Sequence, residues 1–300
     1  MTRAGKAAKL KGMEALSNRL VEARSGIKQL PLRTPTLPPA EHTNAYLVGH
    51  ERLLLVDPAT YEDGERALLA ELVERALAAG ARLEAVVLTH HHGDHVGSAE
   101  WARARFGVPV WGHEITGELL GDQIPLDRYL SEGDALPLGR DADGLEFAPL
   151  VLFTPGHAPG HIVLVDRRGE DEALIAGDMV AAIGSIIIDP GEGDMARYIT
   201  ELRRLAARKP GLVFPAHGPP IEAGTAKLES YIAHRLWRET KVFEALCAWG
   251  GEATALDLVP VAYDDTPVAL HPLAARACLA HLLKLAADGR AKRNGERFRG

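Results

Sequence analysis

Between Leu88 and Ser98 the chain reads LTHHHGDHVGS, which crowds His90, His91, His92, Asp94 and His95 into six positions. Charged imidazoles at such density repel one another, and left unpaired they are costly to bury. A bound cation removes both difficulties, because neutral imidazole and carboxylate are ligands that zinc, iron and manganese accept. The stretch therefore constrains the fold: the chain has to deliver further donors to the same place.

Patterning shows how it could. The basic segment MTRAGKAAKLKGMEALSNRLVEARSG carries Leu10, Met13, Leu16 and Leu20 at helical spacing, and the proline-rich LPLRTPTLPPAEHTN after it reads as a connector. Together they set off an N-terminal helix and connector over 1–35. From 36 to 225, AYLVG and RLLLVDPAT read as two strands joined at Gly49 to Glu51. ERALLAELVERALAAGA is an amphipathic helix ended by Gly80, and LEAVVLTH a buried strand. SAEWARARFG and DMARYITELRRLAARK read as helices; VPVWGH, LEFAPLVLFTPGH, HIVLVD, EALIAGD and GLVFPAHG read as strands. Hairpins in some places and crossover helices in others predict sheets covered by helices, not an all-parallel doubly wound sheet. From 226 to 300 the texture is mostly helical, closing on a short basic hairpin or tail, RAKRNGERFRG.

The strand ends show a regularity. AVVLTH ends at His90, VLFTPGH at His157, ALIAGD at Asp178 and LVFPAH at His217. In layered α/β proteins ligands collect beyond the carboxyl ends of strands. His90 and His92, two apart, project to one side of an extended segment. Asp94 suits the N-terminus of the helix that begins near Gly97. His90, His92, Asp94, His95, His157, Asp178 and His217 make seven candidates. One tetrahedral ion needs three or four, so seven suit two ions sharing Asp178.

Other residues have plainer expectations. His91 points away from its neighbours; His161 stands behind His157 as support; Asp57 accepts hydrogen bonds beneath the metal loops. His42, His50, His113, His271 and His281 are structural. Tyr231, Arg235 and Arg238, with His234 beside them, share a helix face that either meets an anionic substrate or is solvated. The tail from Arg290 to Arg299 sets five cations against Glu296.

Bulk properties narrow the classes. Three hundred residues allow one large α/β domain with a small appendage. A formal net charge of −7 excludes a general polyanion binder. Cys247 and Cys278 alone make no disulfide framework, which places the chain in a reducing cytoplasm. No run approaches the roughly 20 apolar residues of a membrane helix, and the N-terminus lacks a signal peptide's apolar core. No membrane partner is therefore expected.

THHHGDHVGS matches the HxHxDH signature of the metallo-β-lactamase superfamily, and TPGHAPGH, AGDM and PAHGP match its later motifs in order. TNAYLVG and LLVDPAT extend the resemblance, which spans about Thr43 to Pro220. It implies an αββα four-layer sandwich. His90, His92 and His157 would hold the first metal, and Asp94, His95 and His217 the second, with Asp178 bridging. GSIIIDPGEGDMARYITELRRL and PAHGPPIEAGTAKLESYIAHRLWRE resemble the β-lactamase-like protein 2 group, relatives of glyoxalase II. That group's C-terminal winged-helix-like domain fits HPLAARACLAHLLKLAADGRAKRNGERFRG. DPAT stands where the family usually has Asp-Pro-Gly, a change to a turn. Asp178 occupies the place of the cysteine of true zinc β-lactamases. Flavo-diiron proteins carry an acid at the position of His92, and glyoxalase II's basic C-terminal signature is missing.

The resemblance implies a dinuclear metal hydrolase in which a metal-bridging hydroxide attacks the substrate and Asp94 is the catalytic residue. Two divalent transition-metal ions are expected, zinc first, iron or manganese next. No Ser–His or Cys–His nucleophile motif is present. A small-molecule ester or thioester is the first expectation for the substrate. An endoribonuclease acting on single-stranded RNA is the alternative. A mononuclear iron dioxygenase, as in the related persulfide dioxygenases, and a winged-helix regulator with a dead metal domain stand behind it.

Overall fold

The structure is a computed structural model that describes residues 15–141 and 143–300. Contacts divide the chain into two compact units. The first comprises residues 1–153, 160–185 and 210–223, and the second residues 154–159, 186–209 and 224–300.

The first unit is built on two sheets. One has seven strands in sequential order: β1 (Val21–Arg24), β2 (Ile27–Arg33), β3 (His42–Gly49), β4 (Arg52–Val56), β5 (Arg82–Val87), β6 (Val110–Gly112) and β7 (Arg128–Tyr129). β1 to β4 pair antiparallel, and β4 to β7 parallel. The other sheet runs β11 (Leu212–Pro215), β10 (Ala173–Gly177), β9 (Ile162–Asp166), β8 (Leu150–Phe153), with β10 and β11 parallel. Mixed sheets with covering helices are what the patterning predicts.

Alternation builds two cores from one apolar run. In RLLLV, Leu53 and Leu55 face the helices α2 (Asp63–Ala78) and α4 (Ala99–Phe106), packing near Leu69, Val73 and Ala102. Leu54 and Val56 face the other way, into a core shared with Val151, Ile162, Ile175 and Phe214 of the second sheet. A strand buried on both faces reads as continuously apolar.

The N-terminal expectation needs correction. Of the helix expected there, residues 1–14 lie outside the described residues; among the described ones, 15–19 are helical (α1). Val21–Arg33, expected as helix end and connector, is a β-hairpin whose second strand lines the full length of β3. Pro31 made the segment look irregular. It is tolerated because β1 pairs only with Ile27–Gln29, leaving the outer side of Pro31 without a partner strand.

The second unit holds α6 (Met195–Ala207), α7 (Gly224–Trp249), α8 (Ala255–Ala262), α9 (His271–Ala287) and the hairpin β12 (Lys292–Asn294), β13 (Arg297–Arg299). A capping box between Thr254 and Asp257 starts α8. Val242, Leu246, Leu258, Cys278, Leu282, Leu285 and Phe298 form its core. Contrary to expectation, one stretch among the described residues is long and apolar enough to cross a membrane by length and composition: Val268–Ala287, 20 residues. Its residues Ala274, Cys278, Leu282 and Leu285 lie in this core.

Tyr231, Arg235 and Arg238 of α7 form no solvated face; all three are buried. Arg238 pairs with Asp265 at 2.8 Å and lies over the Tyr263 ring. Next to Arg238 on α7, Glu239 is 4% exposed, with Lys284 Nζ at 2.9 Å, Arg290 at 3.1 Å and His281 Nδ1 at 3.9 Å. Burial pushes the His281 ring down to about 4. Burial alone would raise the Glu239 carboxyl, but His281 and Lys284 outweigh it and bring it to about 2. The unfolded chain takes up a proton at each group before the folded chain does. Stability should therefore fall as pH drops from 6.5 to about 4 through His281, and from 4.5 to about 2 through Glu239. Urea midpoints followed through Trp237 and Trp249 fluorescence test this. His281→Leu should flatten the upper limb, and a wild-type midpoint constant between pH 6.5 and 4.5 would contradict it.

Candidate metal centre

Parallel pairing sets the base of the site. Val56 of β4 lies opposite Val87 of β5, so the residues following both strands emerge side by side. Asp57, with φ 47°, turns its carboxylate under the next loop. Its Oδ1 accepts from Thr89 N at 2.8 Å, and its Oδ2 accepts from Thr89 Oγ1 at 2.7 Å. His95 Nδ1 lies 2.8 Å from the same Oδ2. The expectation that Asp57 is an acceptor beneath the metal loops matches this geometry.

These bonds determine which ring nitrogens carry protons. A carboxylate oxygen accepts, so His95 Nδ1 donates, and Nε2 is the nitrogen the deprotonated ring would offer a cation. The single Thr89 proton goes to Asp57, so Thr89 Oγ1 accepts from His90 Nδ1 at 3.0 Å, and His90 Nε2 keeps its lone pair. His217 Nδ1 faces the His42 carbonyl at 3.0 Å, and His157 Nδ1 the Ile187 carbonyl at 2.9 Å. A carbonyl only accepts, so both rings present Nε2. Four histidines are thus held as Nδ1–H tautomers by acceptors behind them, the usual arrangement behind metal-ligating imidazoles.

The ring nitrogens on the inner side and the two carboxylates come close together. His90 Nε2 and His92 Nδ1 are 3.0 Å apart, close to the roughly 3.3 Å between two nitrogens on one tetrahedral zinc. At the ends of the parallel strands β10 and β11, Asp178 Oδ1 lies 3.4 Å from His217 Nε2 and 3.6 Å from His95 Nε2. Asp94 Oδ2 is 3.8 Å from His217 Nε2. His90, His95 and Asp178 offer ligand atoms all within 4.8 Å of one another, and so do Asp94, His95 and His217. Six of the seven expected donors thus meet within the first unit. His157 belongs to the second, on the turn 154–159.

Electrostatics fit the same use. Burial alone would lower the His95 ring, but the Asp57 and Asp178 charges outweigh it and hold it well above its ordinary value. Burial lowers His217 less than Asp178 raises it. Burial would raise Asp178, yet His217 and His95 hold its carboxyl well below the usual range. His95 Nε2 is buried and makes no hydrogen bond among the described residues. With no cation present the raised His95 ring keeps a proton on Nε2 facing Asp178; a divalent cation can take the place of that proton between imidazole and carboxylate, so the donor set fits divalent cations.

Two supports were assigned differently, or not at all, from sequence. His161, expected behind His157, accepts from Asp178 N at 3.1 Å and so supports Asp178. Gly177, at φ +48°, leaves room for it: a Cβ there would lie 2.6 Å from His161 Nε2. Thr89 went unnoticed; its signal was a polar residue at the buried end of a β-branched strand, directly before His90. His113 is structural as expected, capping α5 (Glu114–Leu120) and stacking on Phe153. Beside the loop, a pocket of about 390 Å³ is lined by Tyr61, His91, Val96, Leu119, Gln123 and Ile124, among others.

Residues 38–217 match the family described as the metallo-beta-lactamase superfamily, and residues 254–299 the beta-lactamase associated winged helix domain. A beta-lactamase-like protein 2 homolog of Drosophila melanogaster is 30% identical over 85% of this chain and 86% of its own length. The Caenorhabditis elegans homolog is 28% identical over 82% and 79%. Among solved structures, a beta-lactamase domain protein from Burkholderia ambifaria superposes with a TM-score of 0.78 at 24% identity, covering 93% of both chains.

Proposed function

The chain belongs to the metallo-beta-lactamase superfamily, and from that premise we propose that it is a dinuclear metal-dependent hydrolase of a small ester or thioester. The observation that carries the reading is Asp178 Oδ1 standing within 3.4 to 3.6 Å of the Nε2 atoms of both His217 and His95. In this proposal His90, His92 and His157 hold one ion, Asp94, His95 and His217 the other, and Asp178 is shared. Two divalent cations, zinc first, supply Lewis acidity for a substrate carbonyl and bring the pKa of water toward about 7.

The chain's own groups do the rest. The two carbonyls, the Thr89 hydroxyl and the Asp57 carboxylate behind the four Nδ1–H groups keep the rings oriented through turnover. Asp178 stays ionised because two imidazoles face it. The Asp94 side chain, 19% exposed, is the most accessible of the three acids and imidazoles at His217; its carboxylate orients the attacking water and takes its proton. The pocket beside His91, with Val96, Leu119 and Ile124 on its walls, fits a small substrate with an apolar group.

The test combines metal analysis with an activity panel. Purified protein should carry close to two transition-metal ions per chain and hydrolyse thioesters or lactones in preference to phosphodiesters. Saturation at one ion, with iron preferred, would overturn the dinuclear hydrolase and favour a dioxygenase.

One observation favours RNA as a second reading. In the β12–β13 hairpin, exposed Lys292 lies directly opposite exposed Arg299, with Arg297 nearby, a like-charge pairing that costs stability unless an anion offsets it. If RNA is the substrate, affinity should fall with salt at a log–log slope of about −0.7 per phosphate contact. Neutralising Lys292, Arg293, Arg297 and Arg299, with Arg290 kept as the partner of buried Glu239, should flatten that slope. For a small ester the same variant should keep wild-type kinetics, which is the expected result. Loss of a robust, salt-sensitive RNA cleavage in it would establish the ribonuclease instead.

A further inference from the structure

His157 is held differently from the other donors. Its turn, 154–159, groups by contacts with the helices of the second unit. On one side the turn is pinned to the start of α6. Gly156, at φ +145°, lies so close that a Cβ would meet Tyr198 N at 2.4 Å and Tyr198 Cα at 2.5 Å. Asp194 N donates to Gly156 O at 2.8 Å. On the other side, His157 Nδ1–H donates to Ile187 O. The carbonyl next in line, Ile186 O, accepts from the Arg235 guanidinium of α7. Arg235 is 5% exposed, and its guanidinium carbon lies 5.5 Å from the Tyr198 ring centroid. One buried cation thus touches both walls of the cradle around His157.

We propose that Arg235 is a positioning residue for the metal ion held by His157. It fixes the Ile186–Ile187 segment, whose second carbonyl sets the imidazole's tautomer and orientation. The inference rests on the reading of His157 as a metal ligand. A buried guanidinium is expensive unless its donors are used. Using them on a carbonyl adjacent to the one that orients a ligand turns that cost into rigidity where rigidity matters. The planar fork also makes arginine a stiffer anchor here than lysine. Hydrogen bonds one shell out from a metal commonly govern affinity by about 10- to 100-fold.

Zinc titration against a chromophoric chelator, on the full-length protein and its Arg235→Met and Arg235→Lys variants, tests this. Wild type should show two binding steps. In Arg235→Met one step should weaken about 10-fold or more, and the other, carried by Asp94, His95 and His217, should stay unchanged. Arg235→Lys should weaken the same step by less. In the cobalt(II)-substituted variants, the visible absorption of the weakened site alone should shift. A merely structural arginine would lower the melting temperature of the metal-free protein and leave both steps equal to wild type; that result overturns the proposal. If Arg235→Met does not fold, Arg235→Lys decides on the same readouts. Wild-type protein that binds no metal would instead overturn the proposed function itself.

Discussion

Asp178→Ala is expected to lower kcat by about three orders of magnitude or more while the fold survives. The side chain follows β10, is buried, and lies within 3.4 to 3.6 Å of the nitrogens of His217 and His95. In the proposed site it is the anion both cations share, so its removal forfeits several kcal/mol of transition-state stabilisation, at 1.36 kcal/mol per decade of rate. The fold should persist because the backbone N–H of residue 178 still has His161 Nε2 as acceptor. His217 should lose the charge that keeps it basic, leaving burial to lower its ring, whereas His95 keeps Asp57 as the one carboxylate that raises it. Steady-state kinetics, circular dichroism and metal analysis on one preparation check this. Near-normal kcat in a folded variant would refute the bridging role.

Asp57→Ala should be the most destabilising single change near the site, by roughly 3–5 kcal/mol. It leaves Thr89 N, Thr89 Oγ1 and His95 Nδ1 buried without their acceptor, at about 1–3 kcal/mol for each unsatisfied group, partly relieved by relaxation. Residue 57 also holds φ 47°, which Asp adopts more readily than Ala. Freed of Asp57, His95 can adopt the other tautomer, and metal affinity should fall about 10- to 100-fold. Asp57→Asn separates the two effects. It keeps the shape, but one amide oxygen cannot serve three donors, so metal affinity should fall while part of the stability returns. Urea denaturation and chelator competition measure the pair. A change below about 0.5 kcal/mol in Asp57→Ala, the range of ordinary surface substitutions, would mean the carboxylate does not organise the loop.

Much of this was legible in the chain itself. LTHHHGDHVGS announced a metal because so many imidazoles have few other uses together, and four strand-like runs each closed on a His or Asp. RLLLV and LEAVVLTH announced buried strands through their unbroken apolar character, and the capping residues of α8 are local. These features depend on neighbours a few residues away, so periodicity and residue type suffice to read them.

Tertiary structure decided the rest. Nothing local to IKQLPLR marks it as a strand, since its place in the sheet depends on β3, and Pro31 is harmless because β1 stops short. The polar face of α7 reads as solvated until Arg238 meets Asp265, 27 residues on, and Arg235 meets Ile186, 49 residues back. Which nitrogen each histidine offers is likewise invisible in sequence. It is fixed by Asp57, Thr89 and the carbonyls of His42 and Ile187, brought up by pairing and turns. A motif names ligands because ligand chemistry belongs to the side chain. The proton on each ring and the buried charge behind it belong to contacts between distant segments, and these exist only once the chain has folded.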